Sequence, residues 1–232
     1  MTLQELLEQA PKFHTNAGQP WSWQLSTEVL EFIDANADEG MTTLETGAGV
    51  STVLFAARGA HHTAIAPAHE EFAGIRSFCA QSGVSLERVT LHAERSEDLL
   101  PGLALAALDL VLIDGSHAFP APFIDWLYTA SALKVGGHLI VDDTQLWTGH
   151  VLKQFLDEEA GWALRHAYAG RSAVFVKEHA FTGLPEWTDQ PFVTRRSRPL
   201  EMSARARHAV ELIRQGKLRT VLDKAGGRRF LS

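Results

Sequence analysis

The segment Thr43-Leu44-Glu45-Thr46-Gly47-Ala48-Gly49-Val50-Ser51-Thr52 constrains this chain more than any other. A short apolar run ends in a carboxylate, a glycine-spaced turn follows, and Val53-Leu54-Phe55-Ala56 continues as an amphipathic stretch. This is a strand, a tight loop and a helix N-terminus. Glycine lets backbone come close to a ligand because it has no Cβ and adopts positive φ without penalty. The helix N-terminus turns unpaired N–H groups toward anything polar or anionic. Two further apolar runs end in acids: Leu110-Val111-Leu112-Ile113-Asp114-Gly115-Ser116-His117, and Gly136-Gly137-His138-Leu139-Ile140-Val141-Asp142-Asp143. Three strand ends carrying carboxylates imply one shared rim.

The remaining periodicity fills in an alternating pattern. Helices are predicted over 3–10, 26–37 (capped by Ser26), 50–59, 69–81, 122–133 and 148–160. Strands are predicted over 42–45, 62–66, 89–92, 108–113 and 138–141. Ala163–Tyr168 and Ala173–Lys177 flank an Ala-Gly-Arg turn and read as a closing hairpin. Asn16–Trp23 reads as a turn-rich link and residues 180–200 as an irregular crossing segment. A last helix is predicted over 202–224. Strands alternating with helices give an α/β fold, a Rossmann-like doubly wound sheet of about seven strands with the last antiparallel. The domain organisation that follows is an N-terminal extension (1–24), a main domain (25–180) and a C-terminal extension with a helix (181–232). In such sheets ligands bind beyond the carboxyl ends of the strands.

Composition narrows the classes. At 232 residues, 45% apolar and 21% charged, the chain has the make-up of a water-soluble globular protein. No apolar run approaches a membrane span. The N-terminal MTLQELLEQAPKF lacks the basic start and apolar core of a signal peptide, so the expected compartment is cytoplasmic. The lone Cys79 excludes an intrachain disulfide and a cysteine-held zinc. Residues 191–232 carry 11 Lys+Arg against 3 Asp+Glu, and the rest of the chain 10 against 25. A basic extension beside an acidic domain is expected to dock on that domain or on a second subunit, giving a homo-oligomer. It lacks the dense Lys/Arg block with interleaved aromatics that nucleic-acid binding calls for.

With these motifs in this order, residues 25–177 resemble the class I S-adenosylmethionine-dependent methyltransferases. They are most similar to a small bacterial O-methyltransferase-like group with an LETGxGxST loop and an IDGxH strand end. The resemblance implies S-adenosylmethionine as cofactor and a small-molecule substrate. It implies that Glu45 organises the loop, that Gly47, Ala48 and Gly49 pass under the cofactor, and that Ser51 and Thr52 hydrogen-bond its carboxylate. Ser96 falls where the adenine end is contacted, although its context also fits a helix N-cap. One departure is plain. The resemblance implies an acid at the end of the second strand, accepting from both ribose hydroxyls, and Thr63-Ala64-Ile65-Ala66-Pro67 has Ala66 there. His69, Glu70 or Glu71 on the next helix is the candidate substitute; the alternatives are a weakly held cofactor or a different ligand.

Asp114, Asp142 and Asp143 offer hard oxygen ligands of the kind Mg²⁺ takes, as in catechol-type methyltransferases. Alternatively Asp142 or Asp143 caps a helix while Asp114 binds loop amides. His117, just past a strand end, is the candidate base, since neutral imidazole accepts a proton near physiological pH. Asp114 shares the catalytic and cofactor-binding assignments. Trp23, Phe119, Trp126 and Trp147 are candidate aromatic pocket walls, with core packing the alternative. Trp21 and Trp23, in the irregular stretch before the first long helix, are the strongest exceptions to core packing, whereas His138, His150 and His166 are expected to pack or face solvent. The reading is methyl transfer to an oxygen of a small molecule. Its rivals are a non-catalytic binding protein on the same fold and a nicotinamide-dependent oxidoreductase, the latter disfavoured because Thr52 occupies the third glycine position of GxGxxG.

Overall fold

The apolar runs pair into one seven-stranded sheet. Its strands are β1 (Thr42–Thr46), β2 (His61–Ile65), β3 (Val89–His92), β4 (Leu108–Ile113), β5 (Leu133–Val141), β6 (Trp162–Tyr168) and β7 (Ser172–Lys177). The structure is a computed structural model that describes residues 1–22, 24–168 and 170–217. The spatial order is β3-β2-β1-β4-β5-β7-β6. Strands β1 to β5 are parallel, and β7 runs antiparallel between β5 and β6. The chain walks outward from β1 through β2 and β3, then returns to start again at β4. The β1/β4 boundary is therefore the switch point at which a doubly wound sheet opens its ligand crevice.

Helices α1 (Leu3–Gln9), α2 (Thr27–Asn36), α3 (Val50–Ala57) and α4 (His69–Ser82) pack on one another as one layer. The short α5 (Ser96–Leu99), α6 (Ala121–Ala130) and α7 (Trp147–Glu158) form another. Local chemistry sets their starts. Thr2 and Glu5 close a capping box on α1, and the Ser26 hydroxyl accepts from the Val29 N–H on α2. The core gathers Leu44, Val53, Leu54, Phe55, Ile75, Leu110, Leu112, Ile140 and Val174, each at most 1% exposed. A side chain buried so completely contributes about 1.5–3 kcal/mol. The N-terminal extension joins this core through Leu6 and Phe13.

The structure revises four local expectations. The link at 16–23 contains a small hairpin, His14–Asn16 against Gln19–Trp21, turning through Ala17 and Gly18 at positive φ. Strand β5 begins at Leu133 rather than 138, with a register shift against β4 between Leu108 and Leu110. Leu133 is buried and suited helix periodicity and strand equally, which is why the pattern misassigned it. Ser96 is the first residue of α5, and Arg95 holds the cap position. The last helix, α8 (Pro191–Arg214), starts earlier than expected because proline is favourable in a first helical turn. The expected stretch 218–224 lies outside the described residues.

Met1–Leu184 and Pro185–Ser232 are separate compact units, and α8 belongs to the second. Leu200, Met202, Val210 and Ile213 on α8 are exposed. No described helix is long and apolar enough to cross a membrane.

One buried group works against stability. Asp125 on α6 is fully buried, and neither carboxylate oxygen has a hydrogen bond of ordinary geometry. Burial pushes its carboxyl up to about 6, although the nearby Ser96 and Thr46 hydroxyls pull it down. The folded state thus holds this proton more tightly than the unfolded chain. The favourable contribution is complete below the unfolded value near 3.8 and is lost as pH rises through about 6. Asp125→Asn should raise stability by about 1–3 kcal/mol at pH 7.5 and leave it unchanged at pH 3.5, measured by urea denaturation at both pH values. Equal effects at both would refute this assignment.

Candidate active site

The loop after β1 is built around Glu45. Its side chain is 1% exposed and three donors converge on it. Ser51 donates to Oε2 at 2.6 Å, while Thr52 and His62 donate to Oε1, His62 from Nε2 at 3.0 Å. Thr52 in turn accepts the Gly49 N–H at 2.9 Å. The other ring nitrogen of His62 bonds the Thr43 hydroxyl at 2.8 Å, and the ring stacks on Phe55. The carboxylate therefore fastens β1, the loop, the start of α3 and β2 together. The resemblance implied that Ser51 and Thr52 hold a cofactor carboxylate. In the structure both hydroxyls are buried and donate to Glu45 instead. His62 was missed, and the available signal was its place opposite Thr43 in the parallel register.

Gly47 has a specific reason to be glycine. Its φ is +96°, and a Cβ there would lie 2.4 Å from the Asp114 carbonyl oxygen. The space expected beneath a cofactor is thus needed first by the chain itself. The Asp114 N–H donates to the Thr46 carbonyl at 3.0 Å, so β1 and β4 continue side by side past the sheet edge.

Beyond these strand ends lies a cavity of about 840 Å³. That is the size of a small-molecule or cofactor site. Gly47, Ala66, Glu71, Ser96, Asp114 and His117 contribute to its walls. Glu45, Ala48, Gly49, Ser51 and Thr52 do not line it. Trp21 lines the cavity, whereas Trp126 is buried in the core, and Phe119 and Trp147 are exposed and face each other at 5.9 Å. Trp23 lies outside the described residues. His138 and His166 pack on Phe32, as expected.

The acids at the ends of β4 and β5 separate into three roles. Asp142 is buried and accepts the Ser172 hydroxyl, away from the cavity. Asp143, at φ +50°, turns the other way. Its Oδ2 lies 2.9 Å from His117 Nε2 and its Oδ1 accepts from Gln145, with Arg171 nearby. The hydrogen bond from His117 is the main reason its carboxyl sits below the usual range. Asp114 goes the opposite way. Burial first, then the charges of Asp142, Asp143 and Glu45, hold it well above that range. The group whose ligand atoms lie within 4.8 Å of one another is Asp114, His117 and Asp143. Of the expected trio Asp114, Asp142 and Asp143, the first and third belong to this group, with His117 beside them, while Asp142 accepts from Ser172. Gly149 allows this turn, since a Cβ there would meet the Asp143 carbonyl at 2.6 Å. Gln145 and Arg171 are site residues that sequence reasoning missed. Neither belongs to a motif, and only the β5–β7 pairing brings Arg171 near.

The sheet order and a crevice at the β1/β4 switch point define the class I methyltransferase fold. Residues 44–144 match a family model described as a methyltransferase domain. No curated protein matches the chain. Among solved structures it is similar to cofactor-bound Rv0187 from MTB, at 18% identity and TM-score 0.58 over 76% of this chain and 90% of that one. It is also similar to the O-methyltransferase TomG from Streptomyces achromogenes in complex with SAM (17%, 0.58, 75% and 90%). A methyltransferase from Geobacter sulfurreducens shows the same fold (13%, 0.55, 66% and 80%).

Gly47→Ala should lower stability by roughly 2 kcal/mol or more, a fall of several degrees in melting temperature. An unchanged melting temperature would show that the contact with Asp114 is dispensable.

Proposed function

We propose that this protein moves the methyl group of S-adenosylmethionine to an oxygen of a small molecule. The observation that carries the reading is the His117–Asp143 pair on the wall of a cavity at the β1/β4 switch point. The residues present fit the cofactor. A glycine strand end without a side chain, the Ser96 hydroxyl and a carboxylate line one continuous cavity. When bound, S-adenosylmethionine supplies an electrophilic methyl group for in-line displacement.

The protein's own work is alignment and proton handling. The ionised Asp143 accepts the Nε2–H of His117, which fixes the ring and leaves Nδ1 as the proton acceptor. Nδ1 takes the proton of the attacking hydroxyl, and Asp143 then stabilises the imidazolium. Asp114 sits beside them as a carboxyl that holds a proton unusually well. Ala66, Pro67 and Leu146 supply apolar wall that limits water.

A second reading rests on the convergence of Asp114, His117 and Asp143. These residues would hold a divalent cation acting as a Lewis acid on the substrate hydroxyl. Two carboxylates and an imidazole admit Mn²⁺ or another transition ion as readily as Mg²⁺.

His117→Phe should lower kcat by about 10²-fold or more with S-adenosylhomocysteine affinity kept within about twofold. The assay follows S-adenosylhomocysteine release over a panel of hydroxylated acceptors. Full activity in this variant would refute the base assignment. In the dyad reading excess chelator leaves the wild-type rate unchanged. A loss restored by Mg²⁺ or Mn²⁺ would select the metal reading.

A further inference from the structure

We propose that Glu71, held in place by His14, accepts the ribose hydroxyls of the adenosyl cofactor, replacing the strand-end acid that Ala66 cannot supply. This rests on the methyl-transfer reading above and identifies a binding residue within that site.

A vicinal diol brings two hydroxyl donors into a cavity, and a donor that loses water without finding an acceptor costs about 1–3 kcal/mol. The wall must therefore supply an acceptor near the end of β2. Alanine at 66 offers none there. Four carboxylates line the cavity: Glu71, Glu97, Asp114 and Asp143. Asp143 is engaged by His117 and Gln145, and Asp114 lies at the end of β4. Glu97 is tied to Arg95. Glu71 stands in the first turn of α4, the helix that follows β2, so it reaches the same end of the cavity as Ala66 and Pro67.

Its geometry suits the task. His14 Nδ1 lies 2.9 Å from Glu71 Oε1, and both side chains are largely buried, at 13% and 22% exposure. Among the described residues no hydrogen bond is formed to Glu71 Oε2, which leaves that oxygen for a ligand. His14 comes from the N-terminal hairpin and lies against the glycine loop, where a Cβ on Gly49 would be 3.4 Å from its Nε2. One imidazole thus bridges the loop after β1 and the acid on α4. This gives the N-terminal extension a place in the site, with Trp21 of the same hairpin also on the wall.

The test is calorimetric binding of two probes, S-adenosylhomocysteine and its 2′,3′-dideoxy analogue. Wild-type protein should prefer the diol by about tenfold or more. Glu71→Ala should bind the two probes alike, losing affinity only for the diol. Ala66→Asp placed in the Glu71→Ala background should restore the preference, because it returns an acceptor to the end of β2. His14 acts through Glu71, so His14→Ala should weaken diol binding while His14→Asn, which keeps a donor at the Nδ1 position, recovers it. Glu71→Ala with the wild-type preference intact, or with an equal loss for both probes, overturns the proposal and leaves the methyl-transfer reading standing. Wild-type protein that binds neither probe overturns both.

Discussion

The site depends on a buried carboxylate. Glu45 is out of contact with solvent and is satisfied by Ser51, Thr52 and His62, which come from the next helix and the neighbouring strand. An ion taken out of water loses several kcal/mol of solvation, which only a complete set of donors offsets. Removing any one donor leaves charge unmatched in a low-dielectric interior, so the arrangement holds the loop in a single conformation. That conformation sets Gly47 at positive φ against the Asp114 carbonyl, and so fixes the distance between the β1 and β4 ends.

From that fixed point the crevice follows. The ends of β1 and β4 run side by side, and the turn after β5 sends successive aspartates in opposite directions. Asp142 goes inward to Ser172 and Asp143 outward to His117. The same division separates their proton affinities, with Asp143 lowered by its histidine and Asp114 raised by burial among like charges. Carboxyls pushed apart in this way are a frequent mark of acid–base sites. Asp125, buried without good partners near the cavity residue Ser96, carries a cost in stability.

The sheet was legible in the sequence because its strands are short apolar runs ended by acids or glycines. β3 and β4 were read at their observed bounds, and the antiparallel hairpin was evident from the Ala-Gly-Arg turn. The strand-end motifs singled out Gly47, Asp114 and His117, and the family resemblance Ser96, and all four line the cavity. What the residue pattern could not give was side-chain direction. Nothing local distinguishes Asp142 from Asp143, since that depends on β7 placing Ser172 beneath one of them. Nor does the ST pair at 51–52 reveal that its hydroxyls turn back to Glu45. The His14–Glu71 pair joins segments 57 residues apart, beyond the reach of any periodicity.

The central claim is that this cavity holds an adenosyl cofactor with its sulfur directed at His117. A crystal structure of the protein grown with S-adenosylhomocysteine tests it most directly. The account predicts the ligand across the Gly47 loop, with the ribose on the Ala66 side and the homocysteine sulfur facing the Asp114–His117 corner. Ligand density outside this cavity, or crystals that exclude the ligand at saturating concentration, would contradict it.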